Sequence, residues 1–296
     1  YTRNEGYATS LFDQAYPQQV KEIEDIIYQL TNDGVTGDQM GIARIWRAFI
    51  YHRLTDLYGD VPYSEAGKGY IDGVLKPKYD AQQDIYMDML KELEEGVSQL
   101  GSTSSLGNSD LLFQGDLGKW KKFGNSLMLR LALRLSKADP STSQAWATKA
   151  IAGGVMTSNA DIAYIQHLLG PDGWNKNGNG EVFMADGNPR LSKTFVDFLK
   201  DDPRLPILGA RRSDGSTNPA DLIGMPNGLT TGALEAKYGT TSAIYAEPNR
   251  GVITGEDAPM VFQTYAEVEF MMAEAITKGW ASGDAKAHYE AGVKAA

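Results

Sequence analysis

The sequence contains no cysteine. That excludes disulfides, thiolate metal sites and cysteine nucleophiles, and it leaves the compartment open. Long apolar runs are missing too. None approaches the roughly 18–20 uninterrupted apolar residues of a membrane-spanning helix, and even LMLRLALRL carries two arginines. Positive charge is in short supply, with 28 Lys and Arg against 38 Asp and Glu and a net charge of −10. An acidic surface repels phosphate backbones, and the basic groups Lys119–Lys121–Lys122 and Arg211–Arg212 are short and far apart. Nucleic acid is therefore not the expected partner. No initiator Met, basic n-region or apolar h-region precedes Tyr1, and the last residues, VKAA, lie inside a helical pattern. Both ends read as cuts in a longer protein.

Catalytic signatures are also lacking. There is no G-x-S-x-G, H-E-x-x-H or G-x-x-x-x-G-K-[ST], and GNG at 178–180 has no third glycine at dinucleotide-binding spacing. Three histidines exist; His52 and His288 fall on helical patterns, where structural roles are expected. A glycan hydrolase needs two cooperating carboxylates. Asp172, Glu181 and Asp186 share one loop, and Glu94–Glu95 one helix, but no feature pairs any two. The expectation is a protein that is not an enzyme.

What the sequence does have is helical periodicity. Val20, Ile23, Ile26, Ile27 and Leu30 mark one face of a helix after Pro17. Asp38 is the expected N-cap of a second helix bearing Ile42, Ile45, Trp46, Phe49, Leu54 and Leu57. Asp80 with Gln83 reads as a capping box for a third, burying Ile85, Met89, Leu90, Leu93 and Val97. Trp120, Phe123, Leu127, Leu131 and Leu135 stripe a fourth, and Ser141 with Gln144 caps an Ala-rich fifth that stops at Gly153–Gly154. The C-terminal end repeats this design: one helix carries Val261, Tyr265, Val268, Met272 and Ala275, and an Ala-rich partner follows from Asp284. Hairpins with small-residue second helices suggest tetratricopeptide-like stacking, with a plain bundle the alternative. The expected fold is all-α, a single domain over 1–296, with scaffold at 17–153 and 259–296. Residues 154–258 form a loop-rich segment with minor strand content, including a short strand near 162–167 and a short helix near 192–200.

Several motifs together resemble the SusD/RagB-type outer-membrane nutrient-binding lipoproteins. They are RAFIYHRLTDLYGDVPYSEA at 47–66, LKPKYDAQQDIYMDMLKEL at 75–93, and GDLGKWKKFGNSLMLRLALRLS with Trp120, Phe123, Asn125, Ser126, Leu129, Arg130 and Arg134. NPR at 188–190, DPRLP at 202–206 and TYAEVEFMMAEAITKGW with Glu267, Glu269, Glu274 and Trp280 complete the series. One departure is Gly124, where the resemblance leads one to expect Ala. The resemblance implies a cell-surface, lipid-anchored outer-membrane protein that captures a nutrient, usually a glycan, with oligopeptide the alternative. It also implies a SusC-type TonB-dependent transporter as the partner. Periodicity alone leaves open a tetratricopeptide-like scaffold that holds a peptide or protein.

Ligand contacts are expected in the loop-rich segment, since loops commonly carry binding residues. Trp174 stands alone in GPDGWNKNGNGE, where no apolar periodicity explains it. An aromatic plane covers the C–H face of a sugar while amides and carboxylates meet its hydroxyls. Trp174 with Asn175, Asn177 and Asn179 supplies both, unless the indole folds back as a plug. Tyr238, Tyr245, Asn249 and Arg250 form a second candidate cluster. No cofactor is expected. The Asp/Asn/Gly-rich stretch 172–188 could hold calcium, but it does not fit the twelve-residue loop pattern, and an ordinary loop is the alternative. Arg130 and Arg134, one turn apart in an apolar helix, are expected to pair with carboxylates.

Overall fold

The computed structural model describes residues 5–170, 175–239, 242–253 and 255–296. The chain divides into a helical unit, Arg3–Ala163 with Val261–Ala296, and a loop-rich unit, Tyr164–Met260. The helices in chain order are α1 (Glu5–Ala15), α2 (Lys21–Asn32), α3 (Asp38–Tyr58), α4 (Gln82–Gln99), α5 (Leu117–Arg134), α6 (Pro140–Gly153), α7 (Gly178–Ala185), α8 (Lys193–Phe198), α9 (Leu205–Leu208), α10 (Thr231–Tyr238), α11 (Arg250–Ile253), α12 (Tyr265–Thr277) and α13 (Ala285–Ala295). The strands are two to four residues long. The fold is predominantly helical, as the apolar periodicity predicts.

In the helical unit α3 packs on α4, α5 on α6 and α12 on α13. Missing side chains make the close approaches possible. A Cβ on Gly41 of α3 would lie 2.6 Å from the Gly96 carbonyl of α4, and one on Gly96 would lie 2.9 Å from the Gly41 carbonyl. Gly292 of α13 makes room for the Phe270 ring of α12 in the same way. Ala147 and Ala150 bury the inner side of α6. An aromatic group fills the centre, with Trp46 edge-on to Trp120 and Phe262, and Phe49 and Phe113 flanking Phe123. Asp110 ties the preceding loop to it, accepting from Trp120 Nε1 at 2.8 Å and from the Phe113 and Gly115 amides.

Charges buried in this unit are matched. Arg130 of α5 makes a two-pronged pair with Glu267 of α12, both contacts 2.6 Å, and Arg134 pairs with Asp56. Arg47 donates to Glu24 at 2.7 Å and to the Tyr63 hydroxyl at 2.6 Å, and Tyr63 donates onward to Asp88. Burial pushes the Tyr51 and Tyr63 phenols well above their usual range. His52 is buried, and its Nδ1 donates to the Phe49 carbonyl. Burial, followed by the nearby Arg130, lowers its pKa to about 3. His288 of α13 contacts Glu269 of α12 at 2.7 Å.

Local starts differ from the sequence expectations where a side chain finds a distant partner. Asp80 does not cap α4, whose N-cap is Ala81; pairing of Val61–Pro62 with Tyr79–Asp80 carries the carboxylate to the Tyr63 and Ser64 amides. Asp38 is the first residue of α3 and accepts from Ser105 instead. Asp139, with Pro140 behind it, replaces Ser141 as the cap of α6. The chain runs helically through Pro17, with a five-residue π-turn, Tyr16–Val20, joining α1 to α2. Val261 lies in a strand, Met260–Gln263, and α12 begins after Thr264. Leu57 is exposed because it sits on the outer side of the last turn of α3.

Candidate ligand-binding site

The loop-rich unit has no long helix to organise it, so backbone pairing does so. Gly209–Arg211 runs antiparallel to Ala246–Pro248, with Ala210 opposite Glu247. Single bridges join Ile223 to Tyr245 and Ser192 to Met225. The amides of Leu191, Lys193, Met225 and Ala246 close this layer with 2.8 Å bonds to the carbonyls of Ala246, Met225, Leu191 and Ile223. Val196, Leu199, Leu205, Leu222 and Ala246 make a small core beneath it. Gly224 is required there, because a Cβ would lie 2.4 Å from the Lys193 Cα. Ser192 caps α8 through the Phe195 amide at 3.2 Å.

A groove of about 400 Å³ lies between α8 and the 219–224 segment, with Lys193, Val196, Asp197 and Lys200 on one wall and Leu222, Ile223 and Gly224 on the other. Lys193 pairs with Asp197 one turn on, which raises the Lys193 pKa. The Tyr238 phenol at the end of α10 lies near enough to Lys193 to act on its charge. Tyr238 is 39% exposed, and Phe195 and Ile223 also present apolar surface. An exposed aromatic beside an apolar wall and charged side chains has the chemistry of a sugar site, covering C–H faces and meeting hydroxyls.

A second feature is built on Glu247. Its buried carboxylate faces three guanidiniums, with Arg212 at 3.0 Å, Arg250 at 3.3 Å and Arg190 at 3.9 Å. Arg190 also donates to the Gly187, Pro189 and Ser242 carbonyls, and Arg250 to those of Phe183 and Asp186. The group thereby fixes the 183–190 loop against the strand pair.

The residues singled out by sequence land in different surroundings. Trp174 and Asp172 lie outside the described residues. Asn175 is exposed, and its carbonyl accepts from the Leu168 amide and His167 Nδ1. Asn177 is buried; it caps α7 through the Asn179 and Gly180 amides and donates to the Ala258 carbonyl at 3.0 Å. Tyr245 is 1% exposed and packs inside the layer. Asn249 caps α11 through the Gly251 amide. Of these candidates Tyr238 is tied to the groove, through its effect on the charge of Lys193. Asp186 is engaged with the Asn188 amide, and among the described residues no His, Asp and Glu cluster able to hold a metal ion occurs. The groove residues Lys193, Asp197 and Lys200 escaped the sequence reading. Their signal was FVDFLK, with Phe195 and Phe198 on a helix too short to bury both.

The helical unit has a cleft of its own, about 390 Å³, between α2, α3 and α4. It is lined by the Glu24–Arg47–Tyr63–Asp88 network together with Arg44, whose buried Nε has no hydrogen-bond partner among the described residues, and Glu92, whose pKa burial raises. The paired part of this network stabilises the fold.

All 296 residues match the family model for SusD-like proteins described as starch-binding and associating with the outer membrane. A solved chitin-binding protein is 31% identical, with a TM-score of 0.84 over 100% of this chain and 64% of that one. A SusD-like protein from Bacteroides thetaiotaomicron is 27% identical, with a TM-score of 0.77 over 99% of this chain and 59% of that one. A chitin-binding SusD homolog from Flavobacterium johnsoniae, 24% identical, shares the fold with a TM-score of 0.74 over 93% of this chain and 56% of that one. The chain thus spans less than two thirds of the length of these three proteins. No curated protein matches it.

Proposed function

The chain belongs to the SusD-like family, and on that premise we propose that it is a non-catalytic glycan-binding protein of the outer-membrane surface. In this proposal a lipid anchor holds it at the cell surface, and it delivers its ligand to a SusC-type TonB-dependent transporter. The observation that carries the binding role is the groove beside α8. There Val196, Leu222 and Ile223 set apolar surface beside Lys193, Asp197 and Lys200, and the partly exposed Tyr238 phenol lies near enough to Lys193 to act on its charge. The chitin-binding relative and the family's starch-binding description both favour an oligosaccharide over a peptide.

Calorimetry with chitin and starch oligosaccharides tests this reading. Tyr238→Ala is expected to weaken binding by about 1–3 kcal/mol, the scale of one lost stacking aromatic, with an unchanged melting temperature because the ring is partly exposed. Undiminished affinity in that variant would move the site elsewhere. Trp174→Ala forms a second arm on sequence grounds. As a sugar platform Trp174 gives the same loss of affinity; as a plug it costs roughly 3–5 kcal/mol of stability and leaves affinity intact. For delivery, the full-length protein is expected to co-purify with a TonB-dependent barrel. Separate extraction of the two, with no crosslink between them, would contradict that part.

A further inference from the structure

The group around Glu247 carries more positive charge than it uses. Three guanidiniums surround one buried carboxylate, in a chain whose net charge is −10. Arg190 and Arg250 also donate to backbone carbonyls, at Gly187, Pro189 and Ser242 for the first and at Phe183 and Asp186 for the second. Arg212 does not. Its Nη1 donates to both Glu247 oxygens, at 3.0 and 3.3 Å, while Nε and Nη2 have no partner among the described residues. Its side chain is 37% exposed.

Two further details keep this donor pair open. Nη2 lies beside Gly187, where even a Cβ would come within 3.1 Å, so the absence of a side chain leaves the guanidinium edge clear. The neighbouring Arg211 is occupied elsewhere, paired with Asp214 and Asp221, because successive residues of a strand point to opposite faces. A second carboxylate, Asp186, accepts from the Asn188 amide, and its charge also acts on Arg190. Burial lowers the Arg190 pKa; Glu247 and Asp186 oppose that shift, and Arg212 and Arg250 add to it. A planar fork of two free N–H donors, backed by three guanidiniums against the carboxylates of Glu247 and Asp186, matches a carboxylate or sulfate oxygen pair.

We propose that Arg212, supported by Arg190 and Arg250, is an anion subsite that takes the carboxylate or sulfate of a charged sugar, making the ligand an acidic glycan. This rests on the glycan-binding reading above and narrows it. The subsite shares the groove's backbone layer, since Glu247 stands two residues after Tyr245, which bridges to Ile223 of the groove wall.

The test is calorimetry of the chain with neutral chitin and starch oligosaccharides, oligogalacturonate, a sulfated oligosaccharide of matched length, and acetate and sulfate ions alone. One acidic oligosaccharide is expected to bind at least about tenfold tighter than the neutral ones, with an advantage that shrinks as salt rises. Which of the two wins separates uronate from sulfate. Arg212→Gln should abolish the advantage while neutral binding persists, and Arg212→Lys, which keeps the charge but loses the fork, should retain part of it. Circular dichroism and melting curves on both variants verify folding; if the Gln variant is unfolded, the Lys variant decides. Neutral sugars binding as well as acidic ones, with Arg212→Gln unchanged, would overturn the subsite and leave glycan binding standing. Free ions binding as tightly as the sugars would overturn the sugar assignment, and no binding of any oligosaccharide would sink both readings.

Discussion

The two units of this molecule handle buried charge in opposite ways. In the helical unit the buried cations meet carboxylates or phenols, as Arg47 does with Glu24 and Tyr63, and Arg130 with Glu267, while Arg44 keeps a buried Nε without a hydrogen-bond partner among the described residues. In the loop-rich unit one carboxylate, Glu247, stands against three arginines, and the surplus reaches the surface at Arg212. Cavities follow the same division. The helical cleft is lined largely by paired charges, whereas the groove beside α8 leaves Lys193 and Lys200 exposed. Closed networks hold a fold, and open ones are free to hold something else.

Mutations should separate the two units. The largest effect belongs to Arg47→Leu, which strands Glu24 in the core of the helical unit. Loss of one partner of a buried pair costs roughly 3–5 kcal/mol, read as a lower urea midpoint, with glycan affinity unchanged in the protein that remains folded. A drop in affinity equal to that of Tyr238→Ala would break the division of labour.

Acid should also act through the helical unit. His52 has a folded pKa of about 3 against roughly 6.5 when unfolded. The folded state therefore prefers the neutral ring, and the unfolded state binds more protons at any pH between these values. This stability is present above about pH 6.5 and is lost as pH falls toward 3, at about 1.4 kcal/mol per pH unit, or about 2 kcal/mol by pH 5. Comparing wild type with His52→Leu isolates the effect; parallel stability–pH curves would show that the buried ring does not titrate this way.

Gly124 offers a smaller test. The family resemblance leads one to expect Ala here and little consequence, but a Cβ would lie 2.5 Å from Val97 Cγ2 and 3.1 Å from Ile45 Cδ1. Gly124→Ala is expected to overpack the α3–α4–α5 junction and destabilise by about 1–3 kcal/mol. Val97→Ala in the same chain should relieve the overlap, and a neutral single mutant would show that the junction yields. The smallest effect is Asn177→Ala in the loop-rich unit. Losing the α7 cap should cost about 1 kcal/mol, seen as faster amide exchange over 178–185 with no shift of the main melting transition.

Legibility in the sequence follows the same line. Helices α3, α4, α5 and α12 could be read because a buried face repeats every three to four residues over several turns, which is local information. Their caps were misread because Asp38 and Asp80 bond to Ser105 and to the Tyr63–Ser64 turn, partners far along the chain. Helix α7 was hidden by its GNG opening, and α10 is only two turns long. The groove was less legible still. Its walls come from Lys193–Lys200 and from 219–224, joined by backbone bonds that leave no side-chain pattern. Tyr238 and Tyr245 looked alike as residues, and only the strand layer distinguishes the ring at the groove from the ring in the interior.

The most direct measurement is hydrogen exchange of the chain with and without a bound oligosaccharide, resolved along the sequence. Ligand capture by the loop-rich unit predicts slowed exchange at 193–200, 222–225 and 231–238, with α3 and α5 of the helical unit unchanged. Slowing confined to α2, α3 and α4 around Arg47 and Asp88, with none in the loop-rich unit, would contradict it.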